Sequence, residues 1–324
     1  MRGEIRPRGA PLRRRIDGVV VLDKPPGITS HAAVQRVKRL YRAHKAGHTG
    51  TLDPAASGLL PVCLGEATKF SSLLLDAKKR YLACIRLGIT TRTGDLEGEI
   101  TGRRPVAVDE ARVRAVLKNF VGEILQTPPM HSAVKQAGVP LYKLARAGQE
   151  VPRQPRQVRI FSLDLVDFDG EALTVSVSCS KGTYVRVLAE DIGRALGCGA
   201  CLAALRRTAV GGLDLAQAVS LERLEANSEL ERDTLLFPVD SLVAALPRYE
   251  LDAASALRLS CGQTIEHRAA REPGLARVYG PGQAFLGVAE VTAGGRIAPR
   301  RLCTQPSSAT EPGPLLLEKP GVRE

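Results

Sequence analysis

The stretch Gly47-His48-Thr49-Gly50-Thr51-Leu52-Asp53-Pro54-Ala55-Ala56-Ser57-Gly58 constrains the chain more than any other. Three glycines and a proline within twelve residues require a loop with backbone freedom at set points. Pro54 pushes Asp53 out of the helical region towards an extended backbone. A carboxylate on such a rigid loop can be presented to a ligand. The same pattern also builds an Asx-type turn, and the loop alone supports both readings.

The surrounding sequence reads as alternating strands and helices. Gly18-Val19-Val20-Val21-Leu22 is a β-branched apolar run, hence a buried strand. Lys24-Pro25-Pro26-Gly27 breaks it, and Thr29 and Ser30 offer an N-cap. Val34, Val37, Leu40 and Tyr41 follow at helical spacing, with a basic opposite face. Leu59 to Leu64 predicts a strand, and Thr68 to Ala77 a helix with Phe70, Leu73, Leu74 and Leu75 inward. Arg80 to Leu87 reads as a strand, Gly88 to Gly102 as loop, and Asp109 to Phe120 as an amphipathic helix. Residues 126–155 carry five prolines and break this rhythm, as an excursion from the core does. Val158 to Asp167 and Ala172 to Cys179 predict strands joined at Asp169-Gly170. Leu188 to Leu196 predicts a helix, and Ser220 to Leu246 helix and loop. From Tyr249 to Cys303 short segments are punctuated by glycines, the pattern of a small β-barrel. Residues 306–324 read as a disordered tail.

The core must be aliphatic, because aromatics make up 4% of the chain and Trp is absent. A formal net charge of +12 favours a polyanionic partner, nucleic acid before an anionic membrane. No stretch reaches the ~20 apolar residues that span a bilayer. The arginine-rich residues 1–15 lack the apolar centre of a secretory signal and predict a basic flexible arm. Seven cysteines, an odd number, suit free thiols in the cytoplasm. Cys198-Gly199-Ala200-Cys201 has no second pair and no nearby His, which argues against a metal or redox site. His44 and His48 have an i, i+4 spacing, but Gly47 and the lack of an adjacent acid argue against a metal there too.

Six motifs together resemble, in order, those of TruB-type pseudouridine synthases. They are the Asp53 loop, Asp23-Lys24-Pro25-Pro26-Gly27-Ile28-Thr29-Ser30, Lys79-Arg80-Tyr81, Pro128-Pro129-Met130-His131-Ser132-Ala133-Val134-Lys135, Cys179-Ser180-Lys181-Gly182-Thr183-Tyr184-Val185-Arg186 and Leu205-Arg206-Arg207. The resemblance covers roughly residues 16 to 305. It implies an α/β (α+β) fold: a pseudouridine synthase catalytic domain with a mixed sheet at 16–247, an RNA-clasping insertion at 126–155, and a small PUA-like β-barrel at 248–305.

The activity it implies is isomerisation of uridine-55 in the T loop of tRNA to pseudouridine, without metal or cofactor. That reaction needs a carboxylate acting as nucleophile or base, and the resemblance places it at Asp53. It also implies catalytic roles for Tyr81 and Arg186, with Asp95 sharing the network of Arg186. An arginine beside a carboxylate favours its ionised form and fixes its orientation. A base within RNA must be flipped out to react, and flipped bases stack on aromatic rings. The resemblance gives Tyr81 the stacking role, lets Tyr184 and Leu205 line the pocket, and has His48 support the extruded nucleotides. Read without it, Tyr81 is a strand-edge residue, Arg186 a surface arginine and Leu205 ordinary core. His131 departs from the family's usual Tyr or Phe.

A non-catalytic RNA-binding protein of the same fold is the alternative, and the retention of Asp53, Tyr81 and Arg186 speaks against it. An aspartate-nucleophile hydrolase would need the D-x-D-x-[TV] signature, which is missing. The 126–155 insertion matches the stand-alone bacterial type that clasps the tRNA T arm as a monomer, without guide RNA.

Overall fold

The computed structural model describes residues 13–132 and 134–307. The expected arm lies outside the described residues as far as residue 12, and the expected tail from residue 308. Ala133 of the Pro128–Lys135 motif also lies outside them.

Along the chain the first strands are β1 (Gly18–Lys24), β2 (Ala46–His48), β3 (Ser57–Leu64), β4 (Lys79–Leu87), β5 (Ile89–Thr91), β6 (Ile100–Arg103) and β7 (Gly122–Gln126). There follow β8 (Lys135–Gln136), β9 (Val139–Pro140), β10 (Arg156–Phe168), β11 (Ala172–Cys179), β12 (Ala200–Val210), β13 (Leu213–Asp214) and β14 (Val219–Ser220). The last are β15 (Arg248–Glu250), β16 (Ile265–Glu266), β17 (Gly274–Tyr279), β18 (Phe285–Val291) and β19 (Arg296–Ser307). The helices are α1 (Ser30–Leu40), α2 (Ser71–Leu75), α3 (Glu110–Lys118), α4 (Leu141–Arg146), α5 (Val185–Leu196), α6 (Leu221–Ala226), α7 (Glu229–Thr234) and α8 (Ala253–Ser260). A large mixed sheet has the order β14-β1-β3-β12-β4-β11-β10-β7, with β2 beside β3.

The chain divides into two compact units, one of residues 1–54, 60–75 and 212–324, the other of 55–59 and 76–211. In the first unit β1 is buried along nearly its whole length and pairs in parallel with β14. Burial on both faces explains its unbroken apolar run. Thr29 caps α1 through its hydroxyl, which accepts the Ala32 N–H at 3.0 Å. The later part of this unit forms the expected small PUA-like sheet, of order β15-β17-β18-β19-β16. Its core is aliphatic, with Leu259, Ala276, Val278, Ala289 and Ile297 buried. Phe285 of β18 packs on Phe70 at 5.4 Å between ring centroids.

In the second unit the start of β3 runs parallel to β12, and β12, β4, β11, β10 and β7 follow antiparallel. Alternate residues of β4 from Lys79 to Leu87 are buried, as the strand period requires. Asp169 closes the β10–β11 hairpin by accepting the N–H groups of Glu171 and Ala172 at 2.9 and 2.6 Å. Helix α5 buries Val185, Leu188, Ala189, Ile192 and Leu196, one stripe at 3.6-residue spacing. It runs close to β12 at Gly193, where a Cβ would lie 2.2 Å from the Ala200 nitrogen.

Two expectations are corrected, and one strand has no counterpart among them. The span Gly88–Gly102 contains the β5–β6 hairpin, whose strands are too short to show alternation. The helix expected over Thr68–Ala77 is a 3-10 turn, Gly65–Lys69, followed by five-residue α2, so Leu75 points outward and is 42% exposed. Strand β12 went unread, because bulges after Leu202 and Arg207 break its period.

Candidate active site

The first unit holds Asp53 and His48. Asp53 is half-buried in the connection between β2 and β3. The segment after β1 grips this connection on both sides of the carboxylate. Lys24, fully buried, donates from Nζ to the carbonyls of Pro25 and Ile28 at 2.8 Å each and of Pro54 at 3.2 Å. The Gly27 N–H donates to the same Pro54 carbonyl at 2.9 Å. Ser30 Oγ donates to the Leu52 carbonyl at 3.0 Å and accepts the Leu52 N–H at 2.8 Å. The residues before and after Asp53 are therefore fixed by hydrogen bonds, buried at Leu52 and partly buried at Pro54, and buried ones are costly to break away from water. Within the Asp23–Ser30 motif, Lys24, Gly27 and Ser30 thus hold the Asp53 loop. His48 ends β2, and its Nδ1 accepts the Gly50 N–H at 3.2 Å. Gly50 has φ +135°, which a side chain would resist.

The second unit holds Tyr81, Asp95, Tyr184, Arg186 and Leu205. Tyr81 lies on β4, opposite Val177 of β11 and Arg207 of β12, and is 8% exposed. Leu205, half-buried on β12, stands opposite Ala83, so it shares the face of Tyr81. Tyr184 occupies the N-cap position of α5 and Arg186 its first turn. Arg186 is buried, and its guanidinium spans two loops. Nη1 donates to the Thr93 carbonyl at 3.1 Å and Nη2 to the His131 carbonyl at 2.9 Å. Nη1 also pairs with Asp95 at 3.6 Å. Asp95 is held in turn by the Thr93 hydroxyl at 2.5 Å and the Glu97 N–H at 3.2 Å. Only a planar fork of donors satisfies this arrangement; a lysine would not. His131 contributes its main-chain carbonyl here, a contact that does not depend on which ring the residue carries.

Three residues of this region were not read as site residues from the sequence. Arg207, 1% exposed, donates from Nε to the Leu59 carbonyl at 2.7 Å and ties β12 to β3. Lys79, two residues before Tyr81 and on its face, donates to the Ala77 carbonyl at 2.8 Å. Burial, with the positive Arg207 nearby, pulls the Lys79 ammonium down to about 8. Gln126, 2% exposed, holds the main chain of Tyr184. Arg207 and Lys79 sit inside family-like motifs, yet their burial has no sequence signal, and Gln126 has none at all. Two cavities of this unit, of 190 Å³ in the insertion and 330 Å³ between the β5–β6 hairpin and the end of α5, are lined by none of the seven candidate residues. Among the described residues no group of His, Cys, Asp or Glu is placed to hold a metal, and no helix is long and apolar enough to cross a membrane.

Residues 38–185 match the family described as TruB family pseudouridylate synthase, N-terminal domain. Residues 186–244 match the tRNA pseudouridylate synthase B C-terminal domain, and 247–303 the C-terminal family of pseudouridine synthase II TruB. The chain is 54% identical to the tRNA pseudouridine synthase B of Methylobacillus flagellatus, over 91% of this chain and 97% of that relative. It is 56% identical to the protein of the same name from Thiobacillus denitrificans, over 90% and 97%. Among solved structures it is similar to a chain of a Cbf5–Nop10–Gar1 complex, with 29% identity, a TM-score of 0.65, and coverage of 84% of this chain and 78% of that one. It is also similar to a chain of the archaeal box H/ACA sRNP Nop10–Cbf5 complex, with 27% identity, a TM-score of 0.66, and coverage of 88% and 85%. With consecutive family matches from residue 38 to 303 and relatives above half identity along almost the whole sequence, the chain belongs to the TruB family of pseudouridylate synthases.

Proposed function

We propose that the protein isomerises uridine-55 in the T loop of tRNA to pseudouridine, with Asp53 as the catalytic carboxylate. Family membership supports pseudouridine formation, and the curated relatives, named tRNA pseudouridine synthase B, support tRNA as the substrate. The reaction breaks the bond from uracil N1 to ribose C1′, turns the base over, and joins C5 to C1′. C5 loses a proton and N1 gains one, so no electron leaves or enters. A carboxylate, a pocket and proton transfer suffice.

The observation that carries the reading is the double grip on the Asp53 loop, by Lys24 at Pro54 and by Ser30 at Leu52. A simple surface turn needs no buried lysine and serine to fix it. Tyr81 stacks on the flipped uracil, with Leu205 and Tyr184 lining its pocket and His48 supporting the neighbouring nucleotides. Arg186, held by Asp95, is a further catalytic residue in this reading. The insertion at 126–155 clasps the T arm, and the sheet at 248–305 binds RNA elsewhere. The protein acts as a monomer in the cytoplasm, without guide RNA or cofactor.

The test incubates the protein with unmodified tRNA and maps pseudouridine by carbodiimide primer extension. Wild-type protein is expected to produce a stop at position 55. Asp53→Asn is expected to lower single-turnover conversion on the order of 1,000-fold or more while leaving tRNA affinity within about threefold. The amide is nearly isosteric but is neither nucleophile nor base. Substantial turnover by Asp53→Asn, free of contaminating enzyme, removes Asp53 from the chemistry.

A further inference from the structure

Helix α5 begins at an unusual N-cap. Tyr184 has no short side-chain oxygen, and its side chain makes no capping hydrogen bond. The first turn of α5 also holds no acidic residue. Gln126, at the end of β7 and 58 residues away, instead holds the main chain of the cap residue itself. Its Oε1 accepts the Tyr184 N–H at 3.0 Å and its Nε2 donates to the Tyr184 carbonyl at 3.3 Å. The amide is buried and both of its ends are used. Gln126 pairs with Arg156 of β10, so it closes the root of the insertion. Five residues further on, the His131 carbonyl accepts from Arg186 at 2.9 Å. The root of the insertion therefore holds both the main chain at the start of α5 and the guanidinium in its first turn.

We propose that Gln126 is a positioning residue, which couples the insertion to Tyr184 and Arg186 through the main chain at the start of α5. The proposal rests on the site assigned above. A tyrosine stands at the cap because the pocket uses its ring, and a distant amide holds the main chain of this cap residue, taking its N–H as the Glu or Gln of a capping box would. Gln126 touches no reacting atom, so its loss slows conversion of bound tRNA rather than binding.

The experiment measures single-turnover conversion at saturating enzyme, tRNA affinity and thermal stability for Gln126→Leu, Gln126→Glu and Asp53→Asn. Gln126→Leu is expected to convert at least tenfold more slowly, with affinity within threefold of wild type. Gln126→Glu keeps the acceptor for the Tyr184 N–H but turns a second carboxylate oxygen on the Tyr184 carbonyl. Protonation restores the donor, so its rate relative to wild type should rise at least threefold as pH falls from 8 to 6, and that of Gln126→Leu should not. If Gln126→Leu fails to fold, the pH dependence of Gln126→Glu decides by itself. A folded Gln126→Leu that converts at the wild-type rate, or a Gln126→Glu ratio flat in pH, overturns the proposal. An active Asp53→Asn overturns the site reading instead, and the two failures are told apart in one series.

Discussion

Lys79 shows what burial does to a single charge beside the proposed site. The residue is 8% exposed, and its ammonium is held down to about 8, against an ordinary value of 10.5. Burial is the main cause, and Arg207 adds to it. Below pH 8 the lysine is protonated in both folded and unfolded chains, and its burial cost is constant. Between about 8 and 10.5 the unfolded chain holds a proton that the folded chain has lost, so stability from this group rises with pH across that window. Wild type should therefore gain on Lys79→Met between those pH values, by at most about 3 kcal/mol. Denaturant unfolding of both proteins at a series of pH values measures the difference. A flat difference would show that Lys79 titrates normally. Nothing in Lys79-Arg80-Tyr81 as a string of letters tells the buried lysine from the exposed arginine; only the period of a confirmed strand does.

At the level of elements, the join of β3 to β12 depends on Gly58. It has φ +97°, and a Cβ there would lie 2.3 Å from the Arg207 carbonyl oxygen and 2.8 Å from the Arg207 nitrogen. Neither backbone atom can move without breaking the strand pairing of Arg207 with Gly58. Gly58→Ala should cost about 3 kcal/mol or more, or prevent folding. Thermal melting against Gly138→Ala separates steric clash from loss of backbone freedom, because Gly138 also has positive φ but an open surround. Equal effects at the two positions would contradict the close approach. The sequence reads Gly58 as a loop glycine, whereas it is the second residue of β3, and its neighbour on β12 lies 149 residues away. The β5–β6 hairpin was missed for a related reason. Three and four residues leave no room for a period, and pairing partners decide the conformation.

At the scale of the whole molecule, the surplus of +12 predicts RNA binding through phosphates that weakens with salt. The C-terminal sheet is proposed to contribute, and deleting it is a poor test. Phe70 is fully buried and meets Phe285, and Lys69 donates to the Leu302 carbonyl and the Thr304 hydroxyl. Removing residues after 247 would expose that packing. Exposed Arg300 and Arg301 of β19 are the better targets. Arg300→Ala with Arg301→Ala should weaken tRNA binding and reduce the slope of log K against log salt by about one for each phosphate that is no longer neutralised. Single-turnover conversion at saturating enzyme should stay within about twofold. An unchanged slope would place RNA binding elsewhere on the surface.

The sequence by itself determined the family, through six contiguous motifs, and through that resemblance the mixed α/β class; glycine placement, which acts over neighbouring residues, pointed to the small C-terminal sheet. It also determined the candidates Asp53, Tyr81 and Arg186, because each sits in a contiguous motif whose letters are local. The tertiary structure decided how those candidates are held. Lys24 and Ser30 reach Pro54 and Leu52, Gln126 reaches Tyr184, and Arg186 reaches the carbonyls of Thr93 and His131. Most of these bonds end on a main-chain atom, and every residue type offers the same main-chain carbonyl. A sequence records which side chains can donate; which carbonyls come within reach is settled only when distant strands and loops pack together.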